Sequence, residues 1–218
     1  MTNTPTIYLC DDDNGVRGGL SYLLEQCGFN VNAFASGPAL LAALDALPQP
    51  PRGVFVLDLQ MEPMRGDAVH DRLHARGLGH RMPVIFLSAH GTIPITVSAM
   101  KKGAITFVEK PYTVETLVPL LKEALEKEEQ WQRQANRCEF LRTMWESLAP
   151  QQRRVARMKA KGDITKVIGD RLDLADRTVE EHWVKVRDKL GVDSVAALAT
   201  TIAEMRACGV DISTTDRE

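Results

Sequence analysis

Residues 54–57, Val-Phe-Val-Leu, run without polar interruption straight into Asp58. An unbroken apolar run of this length fits a strand buried on both faces of a parallel sheet, whereas alternation would mark a half-exposed strand. A carboxylate buried unpaired at its end would be strongly unfavourable, so Asp58 must stand at the mouth of the sheet against a cation or a hydrogen-bond donor. Turn chemistry follows in Met61-Glu62-Pro63-Met64-Arg65-Gly66. Asp58 is thereby placed at the carboxyl end of a strand, the edge where open α/β sheets carry their ligand sites.

Four further strands read from the same half of the chain. Residues 7–10 are apolar and end in Asp11, Asp12 and Asp13; Asn14-Gly15 then turns into a helix with Val16, Leu20, Leu23 and Leu24 at helical spacing. Phe29, Val31, Ala33 and Phe34 suggest a second strand, followed by a helix over residues 37–47. After Asp58 come a helix over 66–76, a strand over 84–87 ending at Ser88, a short helix over 95–102, and a strand over 105–108 running into Lys110-Pro111. Strands alternating with helices in this way predict an α/β fold, a five-stranded doubly wound parallel sheet.

The polar residues at the strand ends carry the chemistry, because separate strands deliver them to one edge. Asp11 and Asp12, Asp58, Ser88 and Lys110 would meet there. Three carboxylates that close repel one another and call for a divalent cation, and a hard, oxygen-ligated ion such as Mg2+ suits so few side-chain ligands. Lys110 is a point charge for a phosphoryl oxygen and Ser88 a hydroxyl donor to another. Together these groups describe phosphoryl transfer to an aspartate, with Asp58 the nucleophile.

The stretches LCDDDNGVRGGL, VFVLDLQMEPMRG, VIFLSAHG and AITFVEKPY resemble the receiver domain of two-component response regulators over residues 5 to about 125. The resemblance implies that Asp58 accepts the phosphoryl group and that Asp11 and Asp12 are the acidic metal pair, with Asp13 outside it by register with Arg17. It further implies the main-chain carbonyl of Gln60 as a metal ligand, Ser88 and Phe107 as switch residues, Lys110 as the phosphate-binding lysine, and a cis Lys110-Pro111 bond. Glu62-Pro63 departs from the usual Pro-Gly and predicts an altered loop. Gln60 and His90, each two residues beyond a site residue, could gate water attack on an acyl phosphate. Haloacid-dehalogenase-type phosphatases combine similar groups, but they place a second aspartate two residues after the nucleophile as general acid and base. Gln60 stands there instead, so a phospho-switch phosphorylated by a sensor histidine kinase is expected, not an enzyme.

Thr113 can cap a long helix beginning near Val114, with a kink or a late start expected at Pro119. Leu117, Leu121, Ala124, Trp131, Ala135, Cys138, Trp145 and Leu148 form a stripe interrupted at Glu128. It could pair two chains as a coiled coil or pack within one chain. The four cysteines lack zinc spacing, and reduced thiols in a cytoplasmic protein are expected. No stretch resembles a signal peptide or approaches a membrane span.

Beyond Pro150, apolar spacing and breakers predict helices over 151–161, 164–172, 176–190 and 194–207. Residues 150–190 hold eleven Lys and Arg against seven Asp and Glu, a net +4 in a chain whose net charge is -2. Such a basic region fits a phosphate-backbone footprint, as it fits solvated helix faces. Ile168, Leu172, Leu174, Val179, Val186 and Leu190 join two short helices through a tight turn at Asp173, with Asp176 capping the second. Residues 148–207, through Leu148 with Pro150, Lys166 with Ile168, and RTVEEHWVKVRDKLGV, resemble the LuxR-type helix-turn-helix of NarL/FixJ regulators.

That resemblance implies that the helix over 176–189 enters the major groove of double-stranded DNA, with Lys166, Arg177, Thr178, Glu181, Lys185 and Lys189 as contacts. Glu180 and Glu181 are expected on its groove-facing part, where glutamate can accept from cytosine yet repels phosphate. The expected organisation is a receiver domain over 1–125, a helical linker over 126–147 and a small all-α DNA-binding domain over 148–218. The whole reads as a cytoplasmic transcription regulator with RNA polymerase as a further partner. It would form a homodimer, on phosphorylation or through the linker helix. The alternative is a phospho-switch whose C-terminal module binds a protein partner or has lost DNA binding.

Overall fold

The computed structural model describes residues 4–79, 81–89 and 104–212, and the chain forms two compact units, Met1–Gln132 and Arg133–Glu218. In the first, β1 (Thr6–Cys10), β2 (Asn30–Phe34), β3 (Gly53–Asp58), β4 (Val84–Ser88) and β5 (Ala104–Glu109) build one sheet with α1 (Asn14–Gln26), α2 (Gly37–Asp45) and α3 (Gly66–Ala75) in the crossovers. Every pairing is parallel and the order is β2-β1-β3-β4-β5, so the order in which strands are added reverses between β1 and β3 while all strands run the same way. The helix expected over residues 95–102 lies outside the described residues.

All six residues of β3 are buried, as the unbroken apolar run requires. Val54 and Val56 join Ile7, Leu9, Ile85 and Leu87 in one core with Leu20, Leu24, Leu117 and Leu121. Phe55 and Leu57 point the other way, packing with Tyr8, Phe86, Leu40, Val69 and Leu73. Period-two geometry thus feeds one strand into two separate cores. Cys10 stands opposite Leu57, Leu87 opposite Asp58, and Ser88 opposite Glu109, so the carboxyl ends of four strands emerge at one edge.

Helix α4 (Val114–Glu146) is continuous through Pro119. The Thr113 Oγ1 accepts from the Thr116 N–H at 3.3 Å and the Thr116 Oγ1 from the Thr113 N–H at 3.3 Å, so the helix starts where the sequence placed its cap. Pro119 removes one amide donor just inside the first turns, and burial of Leu117, Leu121 and Ala124 holds the helix together there. The stripe is covered within the chain at both ends, because Leu141, Trp145 and Leu148 enter the core of the second unit. Its apparent interruption has a physical cause. Glu128 is buried and forms a two-pronged bond with Arg52, Nε to Oε1 and Nη2 to Oε2, each 3.0 Å.

In the second unit α5 (Pro150–Ala160), α6 (Thr165–Leu172), α7 (Asp176–Leu190) and α8 (Val195–Ala207) surround a core of Val155, Ile168, Val179, Trp183, Val186, Leu198 and Met205. Asp173 ends α6 in the left-handed region at φ 54°, as the turn demands, and its short polar side chain tolerates that geometry. Two expectations are corrected. Asp176 is the first residue of α7 rather than its cap; Ala175 holds the cap position, and the aspartate serves the positive end of the helix by charge. Cys138 and Cys208 are joined in a disulfide across 70 positions, bringing α4 against the end of α8, whereas Cys10 and Cys27 are free. Nothing in linear spacing signals a pairing made by two distant helices.

Replacing Arg52 with alanine leaves Glu128 buried without its cation and should destabilise the first unit by about 2–3 kcal/mol, less than a fully buried pair because the guanidinium keeps some water. Urea unfolding of a double-mutant cycle with Glu128→Leu should recover much of that loss. Asp173→Gly should stabilise the second unit by roughly 1 kcal/mol by relieving the left-handed backbone; a loss of stability would show that the carboxylate itself contributes.

Candidate functional site

At the carboxyl edge of the sheet, Asp11 and Asp58 are buried and Asp12 is exposed. One carboxylate oxygen from each of the three lies within 4.8 Å of the others. The Lys110 ammonium sits between the two buried acids, 3.0 Å from Asp11 Oδ2 and 3.2 Å from Asp58 Oδ1. Its backbone N–H donates to the Ser88 carbonyl at 2.8 Å, which fastens β5's exit to the end of β4. Ser88 itself is buried at that end. Phe107 stacks on Phe86 with ring centroids 4.9 Å apart, inside the sheet's second core. Gln60 is exposed, and its backbone N–H bonds the Asp58 carboxylate. His90 lies outside the described residues.

The electrostatics follow from this placement. Burial pushes the Asp58 carboxyl above the usual carboxylate range; Lys110 opposes the rise and Asp11 adds to it. Burial works to lower the Lys110 ammonium, but hydrogen bonding and charge from Asp11, with the charge of Asp58, carry it above the ordinary lysine value. Two carboxylates and one ammonium therefore share one partly dry volume, with Asp12 at its mouth adding a second uncompensated charge. That donor set fits a small hard cation: all oxygen, few ligands, and one of the three carboxylates, Asp12, exposed.

Several supporting groups were not singled out for this role by the sequence. Arg17 Nη1 donates to the carbonyls of Asp11 at 2.8 Å and Asp12 at 3.4 Å, and Nη2 to Asn14 Oδ1 at 2.7 Å, pinning the acidic loop from below. Asp13 caps α1 by accepting from Gly15 and Val16, which lowers its own carboxyl and keeps it out of the cluster. The Glu62 N–H donates to Asp12 Oδ2 at 3.1 Å, so the loop with the unusual Glu62-Pro63 pair approaches the site by its backbone. Both Glu62-Pro63 and Lys110-Pro111 are cis, the second as the resemblance implied. A Cβ on Gly66 would come within 2.2 Å of the Asp58 carbonyl oxygen, so only glycine fits there.

In the second unit, Arg177, Glu181, Val184, Lys185 and Asp188 are exposed at helical spacing along one face of α7. Arg177 is 91% exposed at its side chain and pairs with Glu181 one turn on, at 3.3 Å. Lys166 is exposed on α6 and Thr178 half-buried at the start of α7. Glu180 departs from its expected orientation. It turns back to bond Thr165 Oγ1 and Lys159 Nζ, and the Thr165 bond first, then Lys159, lowers its carboxyl. One of the two acids expected to face the groove thus has its charge committed inside the unit. Lys189 Nζ donates to the Ser147 carbonyl at 2.7 Å and to Gln152 Oε1 at 3.2 Å, tying α7 to the chain between α4 and α5.

These two arrangements, an acidic edge with a lysine on a β2-β1-β3-β4-β5 sheet and a helix-turn-helix presenting an exposed helix face, define a two-component regulator. Residues 7–122 match the response regulator receiver domain and residues 146–202 the bacterial regulatory proteins of the luxR family. The chain belongs to the response regulators that join a receiver to a LuxR-type DNA-binding domain, a group that includes FixJ. It is 34% identical to the tetrathionate response regulatory protein TtrR of Salmonella typhimurium, over 96% of this chain and 98% of that protein. It is 31% identical to the transcriptional regulatory protein FixJ of Bradyrhizobium diazoefficiens, over 91% of this chain and 94% of that one. Among solved structures, the response regulator StyR superposes with a TM-score of 0.83 at 32% identity, covering 92% of this chain and 98% of its own.

Because the Glu180 carboxyl is depressed below its usual 4.5, its stabilising contribution is complete above that pH and disappears as pH falls through the lower folded-state value. The stability difference between wild type and Glu180→Gln should therefore be full at neutral pH and shrink on acidification below that value. Chemical denaturation at a series of pH values checks this, and a difference independent of pH would contradict it. Gly66→Ala should displace the backbone under Asp58 and destabilise the first unit by roughly 1–3 kcal/mol, read by urea unfolding.

Proposed function

We propose that Asp58 is the phosphoryl acceptor of this regulator and that Asp11, Asp12, Asp58 and the Gln60 carbonyl hold Mg2+ beside it. The observation that carries this reading is the Lys110 ammonium bridging the two buried carboxylates, Asp11 and Asp58, beside the exposed Asp12 at the sheet's carboxyl edge. When bound, the cation neutralises the carboxylates and the incoming phosphoryl oxygens. Asp58 attacks phosphorus in line through a carboxylate oxygen, and the leaving group departs with its electron pair. Lys110 transfers its contact from the carboxylates to a phosphoryl oxygen, and the Ser88 hydroxyl donates to another. The Ser88 and Phe107 side chains shift with the new charge and remodel the face formed by β5 and α4.

The partner that supplies the phosphoryl group is a sensor histidine kinase, and the output is DNA binding, as the two domains imply. In the finer reading, α7 enters the major groove with Arg177, Thr178, Glu181 and Lys185 facing DNA. Lys166 contacts phosphate, and Lys189 acts chiefly as a fastening within the domain. Phosphorylation promotes a homodimer on paired half-sites and contact with RNA polymerase, in the cytoplasm. A single modification per signal, without turnover of substrate, suits the glutamine at position 60.

Incubation with acetyl phosphate and Mg2+ should add one phosphoryl mass to the wild type and none to Asp58→Asn. Equal gain by both would place the acceptor elsewhere. Lys185→Ala should weaken DNA binding across sequences and reduce the log-log salt slope by about 1, the signature of one lost phosphate contact. An unchanged slope would remove Lys185 from the interface.

A further inference from the structure

The four cysteines occupy three environments, one of them shared by a bonded pair. Cys10 is buried in the sheet, and burial followed by the nearby Asp11 charge pushes its thiol up to about 12, so it is inert at neutral pH. Cys27 is exposed and free. Cys138 on α4 and Cys208 at the end of α8 are bonded, with Cα atoms 5.2 Å apart, and both are only partly buried, within reach of a reductant. An ion pair lies beside the bond they form. Arg137 reaches Glu204 by Nε at 2.7 Å and Nη2 at 2.8 Å, but both side chains are well exposed, where ion pairs are weak and screened by salt. Toward the start of α4 from Leu141, Phe140 is exposed, and the apolar core of this unit begins at Leu141.

We propose that Cys138 and Cys208 form a reversible thiol–disulfide site, cycled by a dithiol reductant, that sets how firmly the α4 segment before Leu141 is fastened to α8. This rests on the cytoplasmic reading above for one point: in a reducing compartment a protein disulfide is ordinarily redox-sensing or transient rather than a permanent staple. A thiolate of the reductant attacks one sulfur of the pair, and the Cys138–Cys208 bond breaks. The reductant's second thiol then closes its own disulfide. Two electrons and two protons end on Cys138 and Cys208 as thiols, and the reverse exchange restores the bond. Reduction removes the covalent tie between α4 and α8 and leaves the exposed Arg137–Glu204 pair beside it, so the turns before Leu141 open more readily toward the start of the segment. The helix joining receiver to DNA-binding domain thereby responds to redox state independently of phosphorylation.

The full-length protein is equilibrated in glutathione buffers of graded reduced-to-oxidised ratio, alkylated natively, and mapped by mass spectrometry. Under oxidising buffer Cys27 alone should be labelled; Cys138 and Cys208 should become labelled together at a midpoint inside the buffer range. Tryptic cleavage after Arg133 and Arg137 should be several-fold faster in the reduced protein. It should be fast in Cys138→Ser at every ratio and redox-dependent in Cys27→Ser. Labelling of Cys138 and Cys208 under oxidising buffer, a bond that resists the most reducing buffer, or cleavage rates equal in the two states would each overturn the proposal. Asp58→Asn should give the same results as wild type, so these readouts separate this site from the phosphorylation reading.

Discussion

A lysine held between two buried carboxylates is the interaction on which the rest depends. Asp11 and Asp58 lie at the ends of adjacent strands, where their mutual repulsion in a partly dry volume would favour separation. Lys110 arrives from β5, across β4, and offsets that repulsion. The whole first unit can be seen as the means of delivering three distant segments to that one point. The strand order and register do so, and the two cores on either face of β3 keep the edge from shifting. The balance remains incomplete, since two buried acids and Asp12 face one ammonium. The incomplete balance leaves net negative charge at the edge.

The helix α4 carries a different constraint, that of a single stripe serving two environments. Its first turns pack on the sheet through Leu117, Leu121 and Ala124, and its last through Leu141, Trp145 and Leu148 in the second unit. Glu128 falls between, buried yet matched by Arg52 just before β3. In the second unit polar groups are likewise committed to neighbours: Lys159 links Thr165 and Glu180, and Lys189 links Ser147 and Gln152. These bonds fix the angle between the helices of the helix-turn-helix and leave the Arg177-to-Asp188 face exposed.

Much of this was legible in the chain itself because period and punctuation are local. The apolar run at residues 54–57, the turn after each strand and the polar residue at each strand end lead to the sheet and its edge without tertiary information. The tight turn at Asp173 and the Thr113 cap were legible for the same reason. What escaped depends on partners distant in sequence. Glu128 read as a break in a stripe because Arg52 lies 76 positions away. Cys138 and Cys208 read as unrelated thiols because two helices had to be packed before the sulfurs could meet. Glu180 read as groove-facing because helical spacing alone does not reveal that Lys159 and Thr165 wait on its other side.

On this reading Asp11, Asp12 and Asp58, and not the neighbouring Asp13, would hold one cation between them. Calorimetric titration of the full-length protein with Mg2+ addresses it most directly. One ion should bind per chain, Asp11→Asn and Asp58→Asn should each weaken binding on the order of tenfold or more, and Asp13→Asn should leave it nearly unchanged. Binding that survives in Asp11→Asn and Asp58→Asn, or that is lost in Asp13→Asn, would contradict the account.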